Sequence, residues 1–188
     1  MKKLAAVALL SLAAASPIHA QGTSFWEGGY VGGQIGYTYG DFSLNLGNFD
    51  NDSVIGGLTL GYLWAVGSGW YLGPEFQYDF ADVTVVDPNT GNTATLDQIG
   101  RLKLIAGREV GSGFLYGSIG YAYGNIDGLG GFLDGDGDSY VLGLGYDWQL
   151  TDTLSLGGEY QFQSFKNIGT SGGDVDVNSI YIKLAYRF

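Results

Sequence analysis

From Ile180 to Phe188 the chain alternates without a break: Ile180, Ile182, Leu184, Tyr186 and Phe188 hold the even positions, Tyr181, Lys183, Ala185 and Arg187 the odd ones. Successive side chains of an extended strand point to opposite faces, so this stretch has one apolar face and one that carries two cations. Such a strand asks for two different media, one on each side. The same two-residue period recurs upstream, and it decides which folds are open to the chain.

A first strand reads from Tyr30 to Phe42, with Val31, Ile35, Tyr37 and Tyr39 on its apolar side. A second runs from Val54 to Trp64, although Ile55 and Leu63 interrupt its polar side. The third is the most regular: Trp70, Leu72, Pro74, Phe76, Tyr78 and Phe80 against Tyr71, Gly73, Glu75, Gln77 and Asp79. Proline brings no N–H to a ladder, so a bulge is expected at Pro74. The fourth sets Gln98, Gly100, Leu102, Leu104 and Ala106 against Ile99, Arg101, Lys103 and Ile105. Leu115 to Tyr123, Tyr140 to Trp148 and Leu154 to Gln163 supply three more, and the terminal stretch is the eighth. Short links at 65–69, 109–113 and 149–153 alternate with long polar loops that end at Asp52 and span 81–95, 125–138 and 164–176. The links Val66-Gly67-Ser68-Gly69 and Val110-Gly111-Ser112-Gly113 are identical, and each precedes an aromatic residue. An even number of alternating strands, with short turns at one end and long loops at the other, predicts an all-β fold: a closed, eight-stranded, antiparallel up-and-down transmembrane β-barrel.

The N-terminus reads as a secretory signal of residues 1–20: Lys2 and Lys3, an apolar run from Leu4 to Ala15, and a cleavage site after Ala20. That leaves 21–188 as one barrel domain. The run is too short for a helical span, and nothing later approaches the ~20 apolar residues such a helix requires. Cleavage removes two of the eight basic residues and His19, leaving six basic against nineteen acidic residues, a formal charge of −13. The mature chain then has no His and no Cys. It lacks disulfides, thiol chemistry, the usual general base and the commonest transition-metal ligand, so neither an enzyme nor a cofactor is expected. So acidic a chain is not expected to bind nucleic acid.

On the inward faces, Glu75, Arg101, Lys103, Glu159, Lys183 and Arg187 form the candidate constellation. Ladder neighbours would pair the third strand with the fourth and the seventh with the eighth, Glu159 with Lys183 among them. An eight-stranded interior is just wide enough for side chains to fill, so a charge-paired, largely plugged lumen is expected, with a narrow aqueous path as the alternative. Both chain ends fall on the short-turn side, which places Trp26, Trp64, Trp70 and Trp148 in an aromatic girdle at that interface; Tyr39, Phe80, Tyr123 and Tyr140 mark the other rim. Asp134, Asp136 and Asp138 offer hard oxygen ligands on a glycine-rich backbone, but no bidentate Glu follows at EF-hand spacing. They are read as a solvated acidic loop and only a weak calcium candidate. The acidic loops together are read as solvated surface, with divalent cations that bridge to lipopolysaccharide as the alternative.

With its signal segment, alternating strands, repeated Gly-Tyr-x-Tyr-Gly (36–40 and 120–124) and terminal Tyr186-Arg187-Phe188, the mature chain resembles the OmpA-type or opacity-type outer membrane β-barrel family of Gram-negative bacteria. The resemblance implies outer-membrane lipids and lipopolysaccharide as surroundings. It also implies that Tyr186 and Phe188 are read as a signal by the barrel assembly machinery. The function expected is a mainly structural role in the envelope. The alternatives are a low-conductance porin for small solutes, and a surface adhesin or recognition protein acting through its four long loops.

Overall fold

Each alternating stretch forms a strand in the computed structural model, which describes residues 24–44, 47–50, 53–86, 93–128, 137–168 and 173–188, with side chains for 24–39, 54–80, 98–122, 139–164 and 176–188. The proposed signal segment lies outside the described residues. The strands are β1 (Gly28–Leu44), β2 (Gly47–Asp50), β3 (Ser53–Gly67), β4 (Trp70–Val86), β5 (Thr93–Val110), β6 (Gly113–Gly128), β7 (Gly137–Gln149), β8 (Leu154–Ile168) and β9 (Gly173–Arg187). β2 pairs only with the far end of β1, Asp41 with Asp50 through Leu44 with Gly47. The eight long strands follow one another antiparallel, and β9 returns to β1 in a ladder from Tyr30↔Arg187 to Asp41↔Asp176. Closure leaves no free edge in the wall. At the short-turn end the seam finishes with two backbone bonds, the Gly29 N–H to the Phe188 carbonyl (3.2 Å) and the Phe188 N–H to the Gly29 carbonyl (3.0 Å).

Burial is inverted relative to a soluble protein. Ile182 is 57% exposed and its neighbour Lys183 2%. Ionised side chains are almost never fully buried unless paired, so the wall separates an apolar exterior from a polar, paired interior.

Two expectations are corrected, the extent of the strands and the bulge at Pro74. The strands do not stop where the alternation stops: β4 runs to Val86, β5 starts at Thr93, β6 runs to Gly128 and β7 starts at Gly137, so much of the expected loops is hairpin. Such extensions are held by backbone pairing and need no apolar face. The two identical links also turn differently. Ser68 and Gly69 both have positive φ (54° and 72°), the signature of a type I′ hairpin, with a register shift between Ala65 and Gly67. At the second link, of the two turn residues only Gly111 is positive (64°), as a type II′ hairpin requires, and Val110 pairs directly with Gly113.

Pro74, finally, makes no register-shifting bulge. It pairs in register with Leu104 on β5, and the ladder to β3 simply has a gap between Gly61↔Glu75 and Trp64↔Leu72. The missing N–H falls in that gap, where Gly73 lies against the Tyr62 carbonyl so closely that a Cβ would collide with it. Gly73→Ala is therefore expected to cost ~1–3 kcal/mol through forced backbone displacement. Urea unfolding of the refolded barrel measures it, and an unchanged midpoint would refute the close approach.

Candidate functional site

The lumen of an eight-stranded barrel has room for side chains and little else, and here large rings are matched to missing ones. Tyr30 pairs across the ladder with Gly61, Tyr116 with Gly145 and Tyr181 with Gly36. Each tyrosine ring lies over its glycine, where a Cβ would collide with it. Gly36, Gly61 and Gly145 have this steric purpose.

Six charged groups form an alternating chain across the lumen. Arg187 Nη2 and Lys183 Nζ each lie 3.6 Å from Asp147 Oδ2. Lys183 Nζ is also 3.2 Å from Glu75 Oε2, and Lys103 Nζ is 2.8 Å from Glu75 Oε1 and 2.7 Å from Glu159 Oε1. Neutral donors complete the acids: the Tyr30 hydroxyl donates to Glu75 (2.6 Å), and Ser118 to Glu159 (3.0 Å). Gln77 Nε2 lies 3.1 Å from Glu75 and 3.4 Å from Glu159, linking the two. Towards the long-loop end Arg101 forms an ion pair with Asp79, which also accepts from Gln34 (2.5 Å) and Tyr181 (3.0 Å). Arg101 Nε donates to Gln163 (3.0 Å). Four acids thus meet four bases, all within 6% of complete burial.

All six residues chosen from the sequence line this lumen, but their pairing differs from the expected one. Glu75 and Lys103 do face each other on adjacent strands. Glu159 takes Lys103 from the opposite wall, and no ion pair joins it to Lys183 among the described residues. A narrow cylinder brings β5 within reach of β8, which ladder adjacency does not foresee. Asp79 and Asp147 were missed as members of the network. Their odd positions, beside Tyr78 and Tyr146 on the apolar faces, mark both as inward and were the available signal.

The short-turn mouth is closed by the segment before β1. Trp26, assigned to the lipid-facing girdle, is a correction: it is 3% exposed and sits inside the barrel. Its ring stacks on Phe114 (5.4 Å), which stacks on Tyr116 (5.4 Å) and meets Tyr71 edge-on (5.7 Å). The Arg187 guanidinium lies 4.6 Å over the Trp26 ring, 4.8 Å from Tyr30 and 5.5 Å from Phe25, and donates to the Trp26 carbonyl (3.3 Å). Lumenal cations, with nowhere to hydrate, recruit aromatic faces. Trp26 precedes the strand, so the alternation that orients the other tryptophans does not govern it. Glu109 fastens the segment, accepting from Tyr71 (2.5 Å) and from Ser24.

Trp64, Trp70 and Trp148 are outward and exposed at this end, and Tyr186 and Phe188 stack on the outer face (6.5 Å). Tyr39, Phe80 and Tyr140 are exposed at the other end, while the Tyr123 side chain lies outside the described ones. The weak calcium candidate also lies there: Asp134 and Asp136 are outside the described residues, and of Asp138 only the backbone is described.

An apolar outer wall around a closed, ion-filled cylinder, with aromatic residues at both rims, defines a transmembrane β-barrel of the bacterial outer membrane. The chain belongs to the outer membrane protein beta-barrel domain family, whose model it matches over residues 4–188. It is 25% identical to the 31 kDa outer-membrane immunogenic protein of Brucella melitensis, across 88% of this chain and 80% of that one. Neisserial surface protein A matches in structure with a TM-score of 0.58 at 14% identity, covering 86% of this chain and 98% of its own. The attachment invasion locus protein of Yersinia pestis gives 0.51 at 16%, covering 86% and 99%. At such identities the solved structures speak for the fold alone.

Proposed function

We propose that this protein, exported by a cleaved signal at residues 1–20, serves the outer membrane mainly as a structural element whose lumen is closed to solutes. The observation that carries this reading is the matched set of four buried acids and four buried bases, capped by Trp26 at the short-turn mouth. The acids are engaged with cations and the mature chain has no histidine, which speaks against an enzyme. Tyr186 and Phe188 act in assembly, as recognition elements on the last strand.

The transport reading has one observation on its side. Gln34 Oε1, Thr59 Oγ1, Asp147 Oδ1 and Gln161 Oε1 are buried without a protein partner, so the lumen offers polar seats for water. Conductance across planar bilayers decides between the two. Refolded protein is expected to give no steady current, and an ohmic current that scales with inserted protein would favour the porin. A recognition role draws support from the hairpins that continue past the outer aromatic rim, notably β4 to Val86 with β5 from Thr93. The Yersinia protein was solved with the heparin analogue sucrose octasulfate. Here the acidic loops suit cationic partners better than sulfated ones.

A further inference from the structure

Of the five basic residues whose side chains are described, four are accounted for inside the barrel. The fifth, Arg108, points the other way. It follows Ala106 on the outer face of β5, is exposed, and pairs across the ladder with Trp70 and Leu115 near the short-turn rim. Its guanidinium lies 5.6 Å over the Trp70 ring. Among the described side chains it is the one cation on the outer wall, and none of their carboxylates lies within ion-pair distance of it. Nearby stand apolar or amphipathic groups: Leu115, Val110 and Tyr146, whose hydroxyl donates to the Val110 carbonyl (2.8 Å).

An unpaired guanidinium at the edge of an apolar band, in a chain with a formal charge of −13 once the signal is removed, needs an anion from outside the protein. The short-turn end faces the periplasm in this architecture, and the leaflet there is built of glycerophospholipids. We propose that Arg108 and Trp70 form a binding site for the phosphate of an anionic phospholipid in the periplasmic leaflet. The guanidinium fork matches phosphate oxygens bidentately, and the indole holds the arginine stem flat against the wall at headgroup depth. Lipid chains cover Leu115 below it.

Trp70 is a built-in reporter, since a lipid held by Arg108 passes beside its ring. With Trp64→Phe and Trp148→Phe in place, Trp70 is the one lipid-facing indole left, Trp26 being enclosed in the lumen. The protein is refolded into phosphatidylcholine vesicles that contain brominated phosphatidylglycerol, or brominated phosphatidylcholine at the same fraction. Quenching of Trp70 is expected to show about fivefold tighter binding of phosphatidylglycerol, the size of one basic residue at an anionic surface. Arg108→Gln is expected to remove that preference and Arg108→Lys, which keeps the charge but not the fork, to retain part of it, with all three proteins folded by the gel shift between unheated and boiled samples. Equal quenching by the two lipids in the parent, or a preference that survives Arg108→Gln, overturns the site.

Discussion

Lys103→Met is expected to lower the stability of the barrel by ~3–5 kcal/mol, the loss seen when one partner of a buried ion pair is removed. Among the described residues Lys103 is the one cation within ion-pair distance of both Glu75 and Glu159. Glu75 keeps Lys183, Tyr30 and Gln77 when it goes. Of the described groups Glu159 keeps only neutral donors, Ser118 and Gln77, and its charge is left without a counterion among them. The double variant Lys103→Met, Glu159→Gln should therefore recover most of the loss, because the stranded charge is gone. Urea titrations of refolded protein in phosphatidylcholine vesicles, followed by tryptophan emission, give the four corners of the cycle. Additive losses would mean that the two groups do not interact. The corresponding cycle with Lys183 is expected to couple more weakly, since no ion pair joins Lys183 to Glu159.

Trp26→Ala is the second large effect, at ~3–5 kcal/mol for truncation of a buried aromatic side chain. The substitution removes the ring under the Arg187 guanidinium and the partner of Phe114 together. Trp26 touches the ion chain only through Arg187 at its short-turn end, and the pairs among Lys183, Glu75, Lys103 and Glu159 do not involve it, so bilayers containing Trp26→Ala should remain without a steady current despite the lower stability. A current from this variant, absent from the parent, would move the barrier from the charged middle to the aromatic mouth. Trp148→Phe, on the lipid-facing side, serves as a control and is expected to change stability far less, since it keeps an aromatic ring at the rim.

The alternation was enough to orient the strands because the barrel wall separates two media with a single layer of chain. Every side chain is then either in or out, as Ile182 and Lys183 illustrate. What parity leaves open is distance across the interior. Glu159 and Lys183 sit on neighbouring strands, and the sequence reading joined them. In a cylinder this narrow, Lys103 from the opposite wall arrives first. Asp79 and Asp147 carried the right parity, but a pattern of apolar residues draws the eye to the outer face. Trp26 lies ahead of the first strand, where no period applies and only its enclosure by Phe114, Tyr30 and Arg187 reveals its place. The hairpin extensions were illegible for a related reason: beyond the membrane both faces meet water, and the alternation that marks a strand is no longer required.

The glycines beneath Tyr30, Tyr116 and Tyr181 and the ions between the walls have a consequence for how the barrel finds its arrangement. A strand displaced by one position would turn its ions into the hydrocarbon and be rejected at once. A displacement of two positions keeps the apolar wall intact and is invisible from outside. Inside, it would set Tyr116 against something other than Gly145 and carry Lys103 away from Glu75. The interior therefore tells apart alignments that the lipid cannot distinguish.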